Sequence, residues 1–240
     1  MGGGAMGLRL GVPSKGRLMD QTADWFAARG VALRRTGAER EYSGALEGVD
    51  GVDLVLVSAG EVPRDLAAGR LHLGITGTDL VREAFADWAE VVAEVAPLGF
   101  GRADLVIAVP DAWVDVTTLD DLDAVAAQFR ARHGFRLRIA TKYHRLVRAH
   151  LRAAGVADYR LVDSQGATEG TVRNRTAEAI ADITTTGETL RANHLRVLDG
   201  APILRSEATL FASRRADWEG VEGAFAALLA RLGLDRPEGL

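Results

Sequence analysis

Ala179-Ile180-Ala181-Asp182-Ile183-Thr184-Thr185-Thr186-Gly187-Glu188-Thr189-Leu190 carries the signal that decides the fold class. The apolar run Ala179 to Ile183 predicts a strand buried on both faces, and Glu188 to His194 predicts a helix. Between them lies a short Thr/Gly loop. A strand passing through a tight loop into a helix is half of a βαβ unit. The same alternation runs through the chain. Leu8 to Val12, Val52 to Val57, Leu105 to Val109 and Leu137 to Ala140 read as buried strands. Helical spacing aligns Leu18 with Trp25 and Phe26, Val147 with Leu151 and Ala154, and Phe225 with Leu228, Leu229 and Leu232. The expectation is an α/β protein with mostly parallel sheets.

The break at Val109-Pro110-Asp111 splits the pattern into two lobes. We expect a first lobe over residues 8–105, to which residues 195–240 return, and a second over 106–194 that carries the Thr/Gly loop. Residues 1–7, with the run Gly2-Gly3-Gly4, read as a flexible leader or cloning remnant. Two lobes joined by crossing strands predict a cleft between them, where ligands commonly bind.

Composition narrows the function classes. The chain has 240 residues, 48% hydrophobic and 26% charged, as expected of a globular protein rather than a disordered one. The net charge of −4 argues against a nucleic-acid binder. The absence of cysteine removes disulfides, thiol catalysis and Cys-based zinc sites, and fits a cytoplasmic location. No apolar run reaches the roughly 20 residues that span a bilayer, and the N-terminus lacks a signal-peptide pattern. The five histidines show no metal-ligand spacing.

Five segments are candidates for chemistry. The loop Thr184-Thr185-Thr186-Gly187-Glu188-Thr189 has the physics of a phosphate site: backbone N–H groups at a helix start, a glycine that permits close approach, and hydroxyl donors. An ordinary N-cap explains the same residues, and spacing alone leaves both open. Asp182, at the strand end, is placed to accept hydrogen bonds from ribose hydroxyls. Pro13-Ser14-Lys15-Gly16-Arg17 follows the first strand, and its two cations suit a polyphosphate, or else a solvated helix start. Leu73-Gly74-Ile75-Thr76-Gly77-Thr78-Asp79 makes a tight turn at which Gly77 could cradle a second anion, although N-capping explains it equally well. Eight Lys/Arg and three His with no acid lie between Arg130 and Arg152. They form a solvated face or a patch for an acidic partner, with Lys142 best placed to enter a cleft. Glu169, in Gly166-Ala167-Thr168-Glu169-Gly170, is either a helix-start acid or a ligand for ribose hydroxyls or Mg²⁺.

Taken in order, six segments resemble the ATP phosphoribosyltransferase family: Pro13 to Arg17, Leu73 to Leu80, Leu98 to Gly101, Ile139 to Tyr143, Gly166 to Glu169 and Asp182 to Leu190. The resemblance implies a two-lobed fold like the type II periplasmic binding proteins, with the site in the inter-lobe cleft. It implies transfer of phosphoribosyl from phosphoribosyl pyrophosphate to N1 of ATP, the first step of histidine biosynthesis, with Mg²⁺ required. The donor would be held by Asp182, Thr184, Thr185, Thr186, Gly187, Glu188, Thr189 and Glu169. Catalytic charge would come from Lys15 and Arg17, and ATP or pyrophosphate contacts from Arg40, Gly77 and Lys142. No residue is assigned as a direct metal ligand. The length is similar to the short form of the family, which implies a homodimer within a hetero-oligomer containing a histidyl-tRNA-synthetase-like regulatory subunit. Nucleic acid and membrane are not implied as partners.

There are departures from the family pattern. Many members have Arg where Ser58-Ala59 stand, so a cationic contact is lost or is supplied by another residue such as Arg40. His144 replaces a proline. A Gly-x-Ala-Asp lead into the phosphate strand is here Arg175-Thr176-Ala177-Glu178. Two alternatives share the implied fold or family: a small-ligand-binding protein of the periplasmic type, and an inactive regulatory subunit.

Overall fold

The computed structural model describes residues 7–35, 43–164 and 166–240. The chain divides into a first unit, Met1–Gly101 with Glu207–Leu240, and a second, Arg102–Ser206. Apart from Gly7, the expected leader lies outside the described residues.

The first unit opens with β1 (Leu8–Pro13), α1 (Gly16–Ala27), β2 (Ala32–Arg35), β3 (Ser43–Glu47), β4 (Val52–Val57), α2 (Val62–Ala67), β5 (Leu73–Gly77), α3 (Thr78–Ala84) and β6 (Val92–Pro97). The second contains β7 (Ala103–Pro110), α4 (Leu119–His133), β8 (Leu137–Thr141), α5 (His144–Ala153), β9 (Tyr159–Asp163), α6 (Gly170–Arg173), β10 (Ala179–Thr184), α7 (Glu188–Ala192), β11 (Leu195–Val197) and β12 (Leu204–Ser206). The chain then re-enters the first unit as β13 (Ala208–Ser213) and α8 (Glu222–Leu232). No helix among the described residues is long and apolar enough to cross a membrane.

The sheet of the first unit has the order β2-β3-β4-β1-β5-β13-β6. Its centre, β4-β1-β5, is parallel. Leu8, Leu10 and Val12 of β1 are fully buried, as a central strand covered on both faces requires. Phe26 of α1 and Phe225, Leu228, Leu229 and Leu232 of α8 close the main core over this sheet. Each such side chain contributes about 1.5–3 kcal/mol on burial. Gly74 on β5 has a packing reason: a Cβ there would sit 2.5 Å from Val62 Cγ1 on α2.

The second sheet runs β11-β7-β10-β8-β9, with β12 also paired to β7. Here β10, β8 and β9 are parallel, whereas β7 is antiparallel to β10, β11 and β12. The expectation of mostly parallel sheets is therefore corrected. Parallel pairs occupy the βαβ centres, and the strands next to the chain crossings, β7 and β13, run antiparallel.

The expected return at residue 195 is also corrected. Residues 195–206 stay in the second unit because β11 and β12 complete their backbone hydrogen bonds on β7. The chain crosses at Gly101/Arg102 and again at Ser206/Glu207, rather than at 105 and 195.

Candidate functional site

The Thr/Gly loop lies where β10 ends and α7 begins. Gly187 occupies the N-cap position in the left-handed region, with φ 73° and ψ 3°, a conformation that disfavours any side chain with a Cβ. Three hydroxyls of the loop are engaged. Thr184 Oγ1 accepts the Gly187 N–H at 2.9 Å, and Thr186 Oγ1 accepts the Glu188 N–H at 3.4 Å. The Thr185 hydroxyl donates to the Arg102 carbonyl at 3.2 Å. Thus two N–H groups expected to face an anion are already bridged by threonine oxygens. Each of those hydroxyls keeps its own proton to donate. Thr185, Thr186, Glu188 and Thr189 are exposed, and Gly187 is buried.

A cavity of about 440 Å³ adjoins the loop. Thr184, Thr185, Thr186 and Gly187 form one side, while Val106, Val197 and Ile203 contribute apolar wall. His150 also lines it, and burial holds its pKa below the ordinary histidine value.

Asp182 and Lys142 come together, as neighbouring parallel strands require. β10 lies beside β8, and Lys142 immediately follows β8. Its Nζ is 3.9 Å from Asp182 Oδ1, and it lies over the Tyr143 ring, 5.2 Å from the centroid. Asp182 also accepts the Ile183 N–H at 2.8 Å. Tyr143 is buried, and its N–H donates to Thr141 Oγ1 at 2.9 Å, which fixes the backbone carrying Lys142. Glu169 is half-buried at the start of α6. The preceding turn is held by the buried pair Ser164 and Thr168, whose hydroxyl oxygens are 3.1 Å apart. No hydrogen bond among the described residues links Glu169 to Asp182 or to the loop.

The remaining candidates belong to the first unit. Lys15 is the extended N-cap of α1, and Gly16 follows it with φ 75°. Lys15 and Arg17 are exposed and make no ion pair among the described residues. Gly77 is the N-cap of α3. Its neighbour Thr78 donates its N–H to the Glu207 carbonyl at 3.1 Å and accepts the Glu207 N–H at 3.2 Å. The Thr76 hydroxyl donates to the Ala59 carbonyl at 2.8 Å, tying this segment to the Ser58-Ala59 turn. Arg40 lies outside the described residues.

One residue escaped the sequence reading. Arg191, on α7, donates from its guanidinium to the Thr186 carbonyl at 3.0 Å and lines the cavity. Its position four residues after Gly187, one helical turn away, was the available signal. No group of three or more His, Asp or Glu among the described residues could hold a metal by itself.

Comparison with known proteins identifies the family. A family model described as ATP phosphoribosyltransferase matches residues 58–233. The chain is 73% identical over 235 residues to an ATP phosphoribosyltransferase of Cereibacter sphaeroides, covering 98% of this chain and 100% of that one. It is 53% identical over 209 residues to an ATP phosphoribosyltransferase of Rhodopseudomonas palustris, covering 87% of this chain and 64% of that one. Among solved structures it resembles the ATP phosphoribosyl transferase (HisG:HisZ) complex from Thermotoga maritima, with a TM-score of 0.69 at 21% identity, covering 94% of this chain and 96% of that one. The alkanesulfonate-binding protein SsuA of Xanthomonas axonopodis gives a TM-score of 0.51 at 15% identity, covering 94% of this chain and 71% of that one. These structural likenesses establish the fold, a two-lobed α/β architecture of the type II periplasmic-binding-protein kind.

Proposed function

This chain belongs to the ATP phosphoribosyltransferase family, and from that premise we propose that it transfers phosphoribosyl from phosphoribosyl pyrophosphate to N1 of ATP, the first step of histidine biosynthesis. The observation that carries the reading is 73% identity across the full length of a relative of that name. No observation favours the ligand-binding or regulatory alternatives.

Adenine N1 is itself the nucleophile, so the reaction needs no strong general base. It forms a bond to C1 of the ribose as the bond to pyrophosphate breaks. The protein's task is to position two polyanions and to offset their charge. We assign the 5-phosphate of the donor to the backbone and hydroxyls of Thr184 to Thr189, and the ribose hydroxyls to Asp182 and Glu169. The Lys142–Asp182 contact supports this assignment, because it holds the carboxylate at the strand end beside the loop. Lys15 and Arg17, with Arg40 and Gly77, are assigned to pyrophosphate and ATP. Charge neutralisation of the pyrophosphate is the chemistry that Mg²⁺ carried by the substrate phosphates would supply, and no residue of the chain is assigned as its direct ligand. The reading includes a cytoplasmic location and a homodimer completed by a partner subunit. The likeness to the Thermotoga HisG:HisZ complex supports a partner of the HisZ kind.

The test combines the purified chain, a HisZ-like partner, ATP, phosphoribosyl pyrophosphate and Mg²⁺, and follows the ultraviolet absorbance of phosphoribosyl-ATP. Product formation that requires both substrates is expected. No product with the partner present would sink the reading.

A further inference from the structure

The segment from Asp182 to Leu190 contains two acids, Asp182 and Glu188, and no cation. Lys142 stands beside Asp182, but Glu188 is exposed at the start of α7. A phosphate monoester carries about −1.5 to −2 charge at pH 7. Held on this loop it would meet the like charge of Glu188. The neutral donors are partly committed, since the N–H groups of Gly187 and Glu188 already engage threonine oxygens. A positive charge from outside the loop's own span would offset that repulsion.

Arg191 is placed to supply it. One guanidinium nitrogen donates to the Thr186 carbonyl at 3.0 Å. The other terminal nitrogen lies 2.9 Å from where a Cβ on Gly187 would stand. The guanidinium therefore lies against the loop, in space that a side chain at 187 would take. Arg191 forms no ion pair among the described residues, and it lines the same cavity of about 440 Å³ as Thr184 to Gly187. A guanidinium carries five N–H donors, and the Thr186 carbonyl takes one. We propose that Arg191 is a further donor-binding residue, providing the positive charge that lets this loop hold the 5-phosphate, and that Gly187 is required partly to let the guanidinium lie there. The proposal rests on the reading of the loop as the 5-phosphate site.

Isothermal titration of the full chain with ribose 5-phosphate, and with phosphoribosyl pyrophosphate plus Mg²⁺, tests it. Arg191→Gln keeps an N–H donor for the Thr186 carbonyl but removes the charge, whereas Arg191→Lys keeps the charge and loses the planar fork. If charge is what matters, Arg191→Gln should weaken ribose 5-phosphate about 10- to 100-fold. Arg191→Lys should recover most of that loss, and the salt dependence of binding should fall in the Gln variant. The donor KM should rise in Arg191→Gln with little change in kcat. The pair Gly187→Ala and Arg191→Gln should be non-additive, the double variant losing little more than the worse single one. Thermal unfolding of each variant checks that it is folded. Wild-type affinity in Arg191→Gln, or rescue by Gln and not by Lys, overturns the proposal while leaving the loop reading intact. A wild-type chain that binds neither ligand overturns the loop reading, and this proposal with it.

Discussion

Arg175 holds a left-handed backbone, φ 57°. A Cβ in that region costs roughly 1–2 kcal/mol, and the greater freedom of glycine in the unfolded chain offsets part of any relief. Arg175→Gly should therefore raise the thermal midpoint modestly, by the equivalent of up to about 1 kcal/mol. The carbonyl of Arg175 that accepts from Arg138 belongs to the backbone and survives the change. An unchanged or lowered midpoint would show that the Arg175 side chain contributes more than its conformation costs. Gly187 is the converse case. Gly187→Val places a β-branched residue at φ 73° and against Arg191, and donor affinity should drop by tenfold or more if the loop is the phosphate site. Unchanged calorimetric affinity would remove that assignment. At this scale the strand-loop-helix form of Ala179 to Ala192 was legible from residue types, while the phosphate assignment of Thr184 to Thr189 is a proposal. Arg191 was hidden because an arginine on a helix looks solvated until its carbonyl partner is known.

At the scale of elements, the site depends on the parallel pair β8 and β10. Their alignment is reinforced where β10 is about to begin. Glu178 accepts the backbone N–H of Arg138 at 2.8 Å and receives the Arg138 guanidinium on both oxygens, at 2.6 and 3.2 Å. The Glu178 carboxylate thus makes a two-pronged contact. Both side chains are less than a third exposed, so this pair should matter more than an ordinary surface ion pair. Glu178→Ala should cost about 1–3 kcal/mol in urea unfolding. It should also weaken donor binding, because Lys142 follows β8 and Asp182 lies on β10. Loss of stability with unaltered donor affinity would separate the pair from the site. Helix α4 shows a second device, a capping box between Thr118 and Asp121. Hydrogen bonds from Thr118 and Thr117 hold the Asp121 carboxyl down at about 2, from an ordinary value of 3.8. Its contribution is therefore present above about pH 4 and fades as pH falls through about 2. Thr118→Ala should cost about 1 kcal/mol. The buried strands were legible because their runs are apolar. β11 and β12 were not, since three residues each, Leu195–Val197 and Leu204–Ser206, carry no period. Only their pairing with the distant β7 makes them strands.

At the scale of the whole molecule, the question left open by the pattern was where the chain returns to its first unit. Hydrophobicity shows that a segment is buried but not against which sheet, so the return was read twelve residues early, at 195 instead of Glu207. After β13 the returning segment is fastened to the first unit by polar contacts. Ser213 donates its hydroxyl to the Leu66 carbonyl at 2.6 Å and accepts the N–H groups of Arg215 and Ala216. His72, 1% exposed, is the centre of the latch. Its Nδ1 accepts the Arg9 N–H at 2.9 Å, and its Nε2 lies 2.9 Å from the Asp217 carbonyl, so the proton belongs on Nε2. Trp218 packs edge-on, with its ring centroid 5.3 Å from that of His72. A second proton on Nδ1 would confront the Arg9 N–H, and burial is the larger reason that the His72 pKa is lowered from 6.5. The folded chain thus resists a proton that the unfolded chain accepts. The neutral histidine's full contribution is present above about pH 6.5 and is lost as pH falls through that value toward the lower folded pKa. Unfolding in urea between pH 7.5 and 5 should show wild-type stability declining across this window. His72→Gln, which retains an amide for the Arg9 and Asp217 contacts but does not titrate, should begin less stable and decline less steeply. Parallel slopes for the two proteins would mean that the acid sensitivity of the fold arises elsewhere than at this latch.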